Sequence, residues 1–70
     1  MTTHIQFFAV EYHGGDMPPY ARWRYFVAAN DAEAVLAGQR LAPPKATSFT
    51  LYRRQAERYT SFGMTQLRGN

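Results

Sequence analysis

Two clusters of chain breakers decide how much regular structure this chain can hold. HGGDMPP, residues 13–19, joins Gly14-Gly15 to Pro18-Pro19, and Pro43-Pro44 forms a second stop. Proline lacks the backbone donor that helix and ladder both need, and the glycine pair favours a turn. Three segments remain between and around these stops, and every element must fit inside one of them.

HIQFFAVEY, residues 4–12, is rich in β-branched and aromatic residues and contains no breaker, so it reads as a strand. YARWRYFVAA, residues 20–29, reads as a second strand and packs four aromatics and two arginines into its first eight positions. The two most simply form an antiparallel hairpin with a loop of about seven residues, longer than the usual two to five. Asn30-Asp31 then precedes AEAVLAGQRLA, a run of good helix formers. Asn30 with Glu33 approximates a capping box, and Arg40 complements the C-terminal dipole. Ala34, Val35, Gly38, Leu41 and Ala42 fall on one helical face. Glycine costs roughly 1 kcal/mol against alanine inside a helix, so Gly38 on the apolar face predicts a close approach to the sheet.

The last third admits two readings. TSFTLYRR, residues 47–54, alternates as a strand, and RYTSF, residues 58–62, could return beside it. A single helix from Ser48 to Tyr59 is the rival, with Phe49, Tyr52, Ala56 and Tyr59 as its stripe. Phe49, Thr50, Tyr52 and Tyr59 are better strand than helix residues, and Arg54 and Arg58 would repel at i, i+4. Two strands are therefore expected, with residues 65–70 as a frayed tail. The predicted architecture is α+β: one domain over residues 1–70, an antiparallel sheet of three to four strands in the order ββαββ, and one helix on one face.

Seventy residues without cysteine make a small core with no disulfide to staple it. Dense aromatic packing or self-association into a homodimer would supply what is missing. The chain carries +3 overall, with −2 over residues 1–19 (Glu11, Asp16) and +5 over residues 20–70, from eight basic against three acidic side chains. Seven of the eight basic residues are arginine, which suits bidentate and stacking contacts. MTTHIQFFAV lacks the basic region and apolar length of a signal peptide. The longest apolar run, YFVAA, is far below the ~20 residues that span a bilayer. A cytoplasmic protein with no membrane association is expected.

One helix covers one face of a sheet, so the opposite face must meet solvent or a partner. Strand parity sorts the side chains. Reading back from the helix, Trp23, Tyr25, Val27 and Ala29 form the expected core face of the second strand, leaving Tyr20, Arg22, Arg24, Phe26 and Ala28 outside. On the third strand Phe49 and Leu51 face the core, and Thr50, Tyr52 and Arg54 face out. The first strand is apolar on both faces, and parity alone does not orient it. The expected open face thus holds Arg22, Arg24, Phe26, Tyr52 and Arg54, with Arg53 and Arg58 as peripheral charge.

Such a surface fits a protein or nucleoprotein partner, since aromatics and arginine dominate interface hot spots. It also fits single-stranded DNA or RNA, with bases stacked on rings and arginines on phosphate. A third reading is purely structural, with the arginine stems lying along the rings. RWRYFVAA lacks the glycines of the aromatic motif in RNA-recognition domains, and the helix is too poorly charged to read a DNA groove. Glu11, His13 and Asp16 cluster at the glycine turn without metal-site spacing, so no metal or cofactor is expected. Ser48 and Ser61 lack a nucleophile elbow, and the carboxylates fall at turns and element ends. The chain therefore reads as a non-enzymatic binding module. A phage- or mobile-element-encoded inhibitor of a host complex, of the anti-CRISPR type, is one concrete form of that reading and rests on size and the absence of other signals.

Overall fold

A computed structural model describes residues 5–67 of the chain. Six elements follow in order: β1 (Gln6–Gly14), a 3₁₀ turn (Pro19–Ala21), β2 (Trp23–Ala28), α1 (Asp31–Leu41), β3 (Ala46–Gln55) and β4 (Arg58–Gln66). The strands form one antiparallel sheet in the spatial order β2-β1-β3-β4, with the helix packed on one face. The α+β class, the single helix and the two strands after Pro44 agree with the sequence pattern. His4 lies outside the described residues.

β1 is a central strand, which explains why it is apolar on both sides. Its Phe8, Val10 and Tyr12 are buried beneath the helix with Ala34, Phe49 and Leu51. Met17, from the loop after the glycine turn, folds back to join this core. Phe26 on β2 stacks on Phe8 with centroids 5.8 Å apart, and Tyr12 meets Phe49 edge-on at 5.8 Å.

The helix begins where the capping residues put it. Asn30 Oδ1 accepts from the Glu33 N–H at 2.9 Å, and Glu33 Oε1 accepts from the Ala29 N–H at 3.3 Å, one residue earlier than an ideal box. Ala34 and Gly38 are its buried residues, while Leu41 is exposed at 37%. Gly38 sits so close to the sheet that a Cβ there would lie 2.9 Å from Phe49 Cε1. The Tyr12 hydroxyl donates to the Gly38 carbonyl at 2.6 Å across the same contact.

Two sequence expectations need correction. β2 has the opposite parity: Phe8 pairs with Phe26, Val10 with Arg24 and Gln6 with Ala28. Phe26 and Ala28 therefore pack on the core side, and Trp23, Tyr25 and Val27 face away from the helix. An edge strand beneath so short a helix half-buries only two side chains, and Arg24 at its far end stays exposed. Second, residues 65 and 66 are not a frayed tail. They end β4, and the Leu67 N–H donates to the Thr47 carbonyl at 2.9 Å. Residues 68–70 lie outside the described residues. β4 also carries a bulge: Leu51 pairs with Gly63 and Tyr52 with Ser61, leaving Phe62 unpaired. The bulge turns Phe62 toward the core, where its ring lies 5.9 Å from that of Phe8.

The β3–β4 turn places Ala56 at φ 58°, a left-handed conformation that alanine adopts at a penalty. Ala56→Gly should stabilise the fold by about 0.5 kcal/mol, the relief of strain exceeding the added chain entropy. Gly38→Ala should do the reverse. Despite better helix propensity, it drives a methyl into the fully buried Phe49 ring and should destabilise by about 1–2 kcal/mol net. Urea denaturation of both variants measures the two signs.

Candidate functional site

The face turned away from the helix is built from three rows of side chains running across the strands. Register sets the rows. The middle row is Tyr25, Ala9, Tyr52 and Ser61. On one side lie Trp23, Glu11, Thr50 and Met64. On the other lie Val27 and Phe7, then Arg54 paired with Tyr59.

The rings of these rows touch one another. Trp23 lies 5.2 Å from Tyr52 and stacks near Tyr25 at 6.4 Å, and Tyr25 meets Tyr59 edge-on at 5.7 Å. Ala9 points out on this face yet is only 1% exposed, because β1 puts its one small side chain between larger neighbours. The rings themselves remain open to solvent: Tyr25 is 67% exposed, Met64 63% and Val27 51%. Tyrosine and tryptophan suit this position, since the ring shields backbone while the O–H or N–H meets water.

Charge on the face is sparse and engaged. The Tyr52 hydroxyl donates to Glu11 Oε1 at 2.9 Å, and His13 Nε2 hydrogen-bonds Thr50 Oγ1 at 2.8 Å. The Arg54 guanidinium stacks 5.3 Å from the Phe7 centroid while its Nε donates to the Ala56 carbonyl. Burial, then the hydrogen bond to Glu11 and its negative charge, hold the Tyr52 hydroxyl above its ordinary pKa. On the other side of the sheet, burial pushes Tyr12 up to about 12, opposed by the positive charge of Arg24.

The residues that sequence parity grouped together are thus divided. Tyr52 and Arg54 lie on the open face as expected. Arg24 and Phe26 lie on the helix side, and Arg22 precedes β2, where its carbonyl accepts from the Tyr12 N–H at 2.7 Å. Arg53 also lies on the helix side. Its guanidinium makes a two-pronged ion pair with Asp31 and stacks 4.7 Å from the Phe62 centroid. The hydrogen bond to Asp31 raises the Arg53 pKa above the usual guanidinium value. Arg58 opens β4 at the hairpin tip. Trp23, Tyr25, Val27, Phe7, Tyr59 and Met64 take the places that the arginines were expected to fill. Among the described residues, no three His, Asp or Glu side chains converge as a metal site would require, and no helix is long and apolar enough to cross a membrane.

Compared with known proteins, the chain matches no family model, no curated protein and no solved structure. The surface itself therefore carries the functional argument.

The tyrosine hydroxyls generate a pH prediction. Folded Tyr12 ionises near 12 against about 10 when unfolded, so the unfolded chain releases that proton first. Its contribution to stability is full below the unfolded value and is lost as pH rises from 10 through 12; the raised Tyr52 acts in the same direction. Tyr12→Phe should flatten much of this alkaline decline. At neutral pH it should cost about 1–2 kcal/mol, because the Gly38 carbonyl loses its donor. Denaturant midpoints measured between about pH 8 and 12 report both effects.

Proposed function

We propose that this chain is a non-enzymatic binding module that docks a protein or nucleoprotein partner on the open face of its sheet. One observation carries the reading: Phe7, Trp23, Tyr25, Val27, Tyr59 and Met64 are all exposed on one face of the sheet. Contiguous apolar surface of a few hundred Å² on a small domain is the usual mark of an interaction site. Tryptophan and tyrosine, which it includes, are the residue types that dominate interface energetics.

Single-stranded nucleic acid is the other ligand that stacks on such rings, at roughly 1–3 kcal/mol per base. The charge distribution favours protein. Arg54 is the one arginine of the rows among the described residues, and it shares the face with the carboxylate of Glu11. Backbone-tracking sites need a cationic groove, and Arg53 is tied to Asp31 on the far side. The acid–base candidates of the face are already engaged, Glu11 by Tyr52 and His13 by Thr50, which supports binding over catalysis. Occluding a host nucleoprotein machine, in the manner of a phage- or mobile-element-encoded anti-CRISPR type inhibitor, is one concrete form of this role. Its support is the size of the domain and the apolar character of the face.

Trp23→Ala and Tyr25→Ala should each weaken capture of the partner from a lysate of the source cells by about tenfold or more. Leu36→Ala, on the exposed side of the helix, should leave capture unchanged, and raised salt should matter little. Face variants that fold and capture like the wild type would contradict the proposal. So would tight binding of a mixed-sequence single-stranded oligonucleotide that fades with salt and disappears in Arg54→Ala, and the nucleic-acid reading would then replace it.

A further inference from the structure

The three rows have a symmetry that identifies one occupant of this face. Glu11 lies one row to one side of the Tyr25–Ala9–Tyr52–Ser61 row, and Arg54 lies one row to the other. Each is two residues from the middle row along its strand, or roughly 7 Å. A two-fold axis laid along the middle row would exchange the outer rows between two molecules stacked face to face. Trp23 of one copy would then meet Val27 of the other, and Met64 would meet Tyr59. Glu11 would meet Arg54 and Phe7, since β1 and β3 are neighbours only about 5 Å apart. Arginine has ample reach to cover that offset and the rotation of about 30° usual between packed sheets.

We propose that the open face is self-complementary and that the resting form of this protein is a face-to-face dimer, held by reciprocal Glu11–Arg54 pairs around an aromatic centre. The inference rests on the docking reading and names the first occupant of that surface: a second copy, which must part before another partner binds. Surface area supports it. The exposed parts of Phe7, Trp23, Tyr25 and Tyr59 together equal about two whole rings, roughly 400 Å². Val27, Met64 and the polar members of the rows bring the face to the order of the ~800 Å² per partner of a standard interface. The fold supports it too. A single short helix gives this sheet one buried layer, and a second sheet would bury the other in the manner of a β-sandwich. Charge sets the orientation, because the alternative axis, parallel to the strands, would set the Glu11 row against itself.

The test is sedimentation equilibrium on the wild type, Glu11→Arg and Arg54→Glu, each across a micromolar dilution series. The wild type should run at twice the 8.0 kDa chain mass. Each charge reversal alone sets like charges together and should run as a monomer. An equimolar mixture of the two should recover the dimer, because each then supplies the charge that the other lacks. That recovery also demonstrates that both variants are folded. A monomeric wild type, a dimer that survives either reversal, or a mixture that stays monomeric would overturn the proposal. None of these results bears on capture of another partner, which is read through Trp23 and Tyr25.

Discussion

The helix lies this close to the sheet because residue 38 has no side chain. Gly38 brings the helix backbone against the Phe49 ring, and the Tyr12 hydroxyl reaches its carbonyl from β1. The contact joins both central strands to the helix at one point. It also satisfies a polar group that would otherwise sit unpaired beside buried rings. With one helix of eleven residues held there, the core is complete on that side. Nothing else among the described residues covers the opposite side.

The bare face follows from this economy. β1 lies between β2 and β3, so its outward side chains are flanked by neighbours even without a covering layer. Ala9 lies low among them, and Trp23, Tyr25 and Tyr52 close around it as a partial second core. Amphipathic rings tolerate this half-buried state where leucine or isoleucine would not, because each has a polar atom to present to water. A change at Trp23 or Tyr25 therefore removes ring contacts from this partial core.

Much of the architecture was legible in local signals. Asn30, Glu33 and the proline pair after Ala42 delimit the helix, and Gly38 on its apolar stripe announced the close approach. Alternation at Phe49, Leu51, Tyr52 and Arg54 gave β3 its correct parity because polar and apolar side chains differ there. β2 gave no such contrast. WRYFVA carries large amphipathic or apolar residues at nearly every position, so its faces are decided by the pairing of Phe26 with Phe8 across the strands. That pairing is long-range information. Phe62 was hidden for a related reason: a bulge resets parity, and the sequence around Gly63 does not mark which residue is skipped. The partner of Arg53 depends on where the helix start lies over β3. Of the residues that parity placed on the open face, Tyr52 and Arg54 therefore lie there, and Arg24 and Phe26 lie on the helix side.

The outward facing of Trp23, Tyr25 and Val27 underlies the exposed face, and NOE contacts of the single tryptophan test it most directly. Its indole protons should show cross-peaks to the Tyr25 and Tyr52 rings and none to Ala34 or Val35 of the helix, while the Phe26 ring should show them to Phe8. Contacts from Trp23 to the helix, with Phe26 free of Phe8, would mean that β2 presents its arginines outward after all. The exposed aromatic face would then not exist.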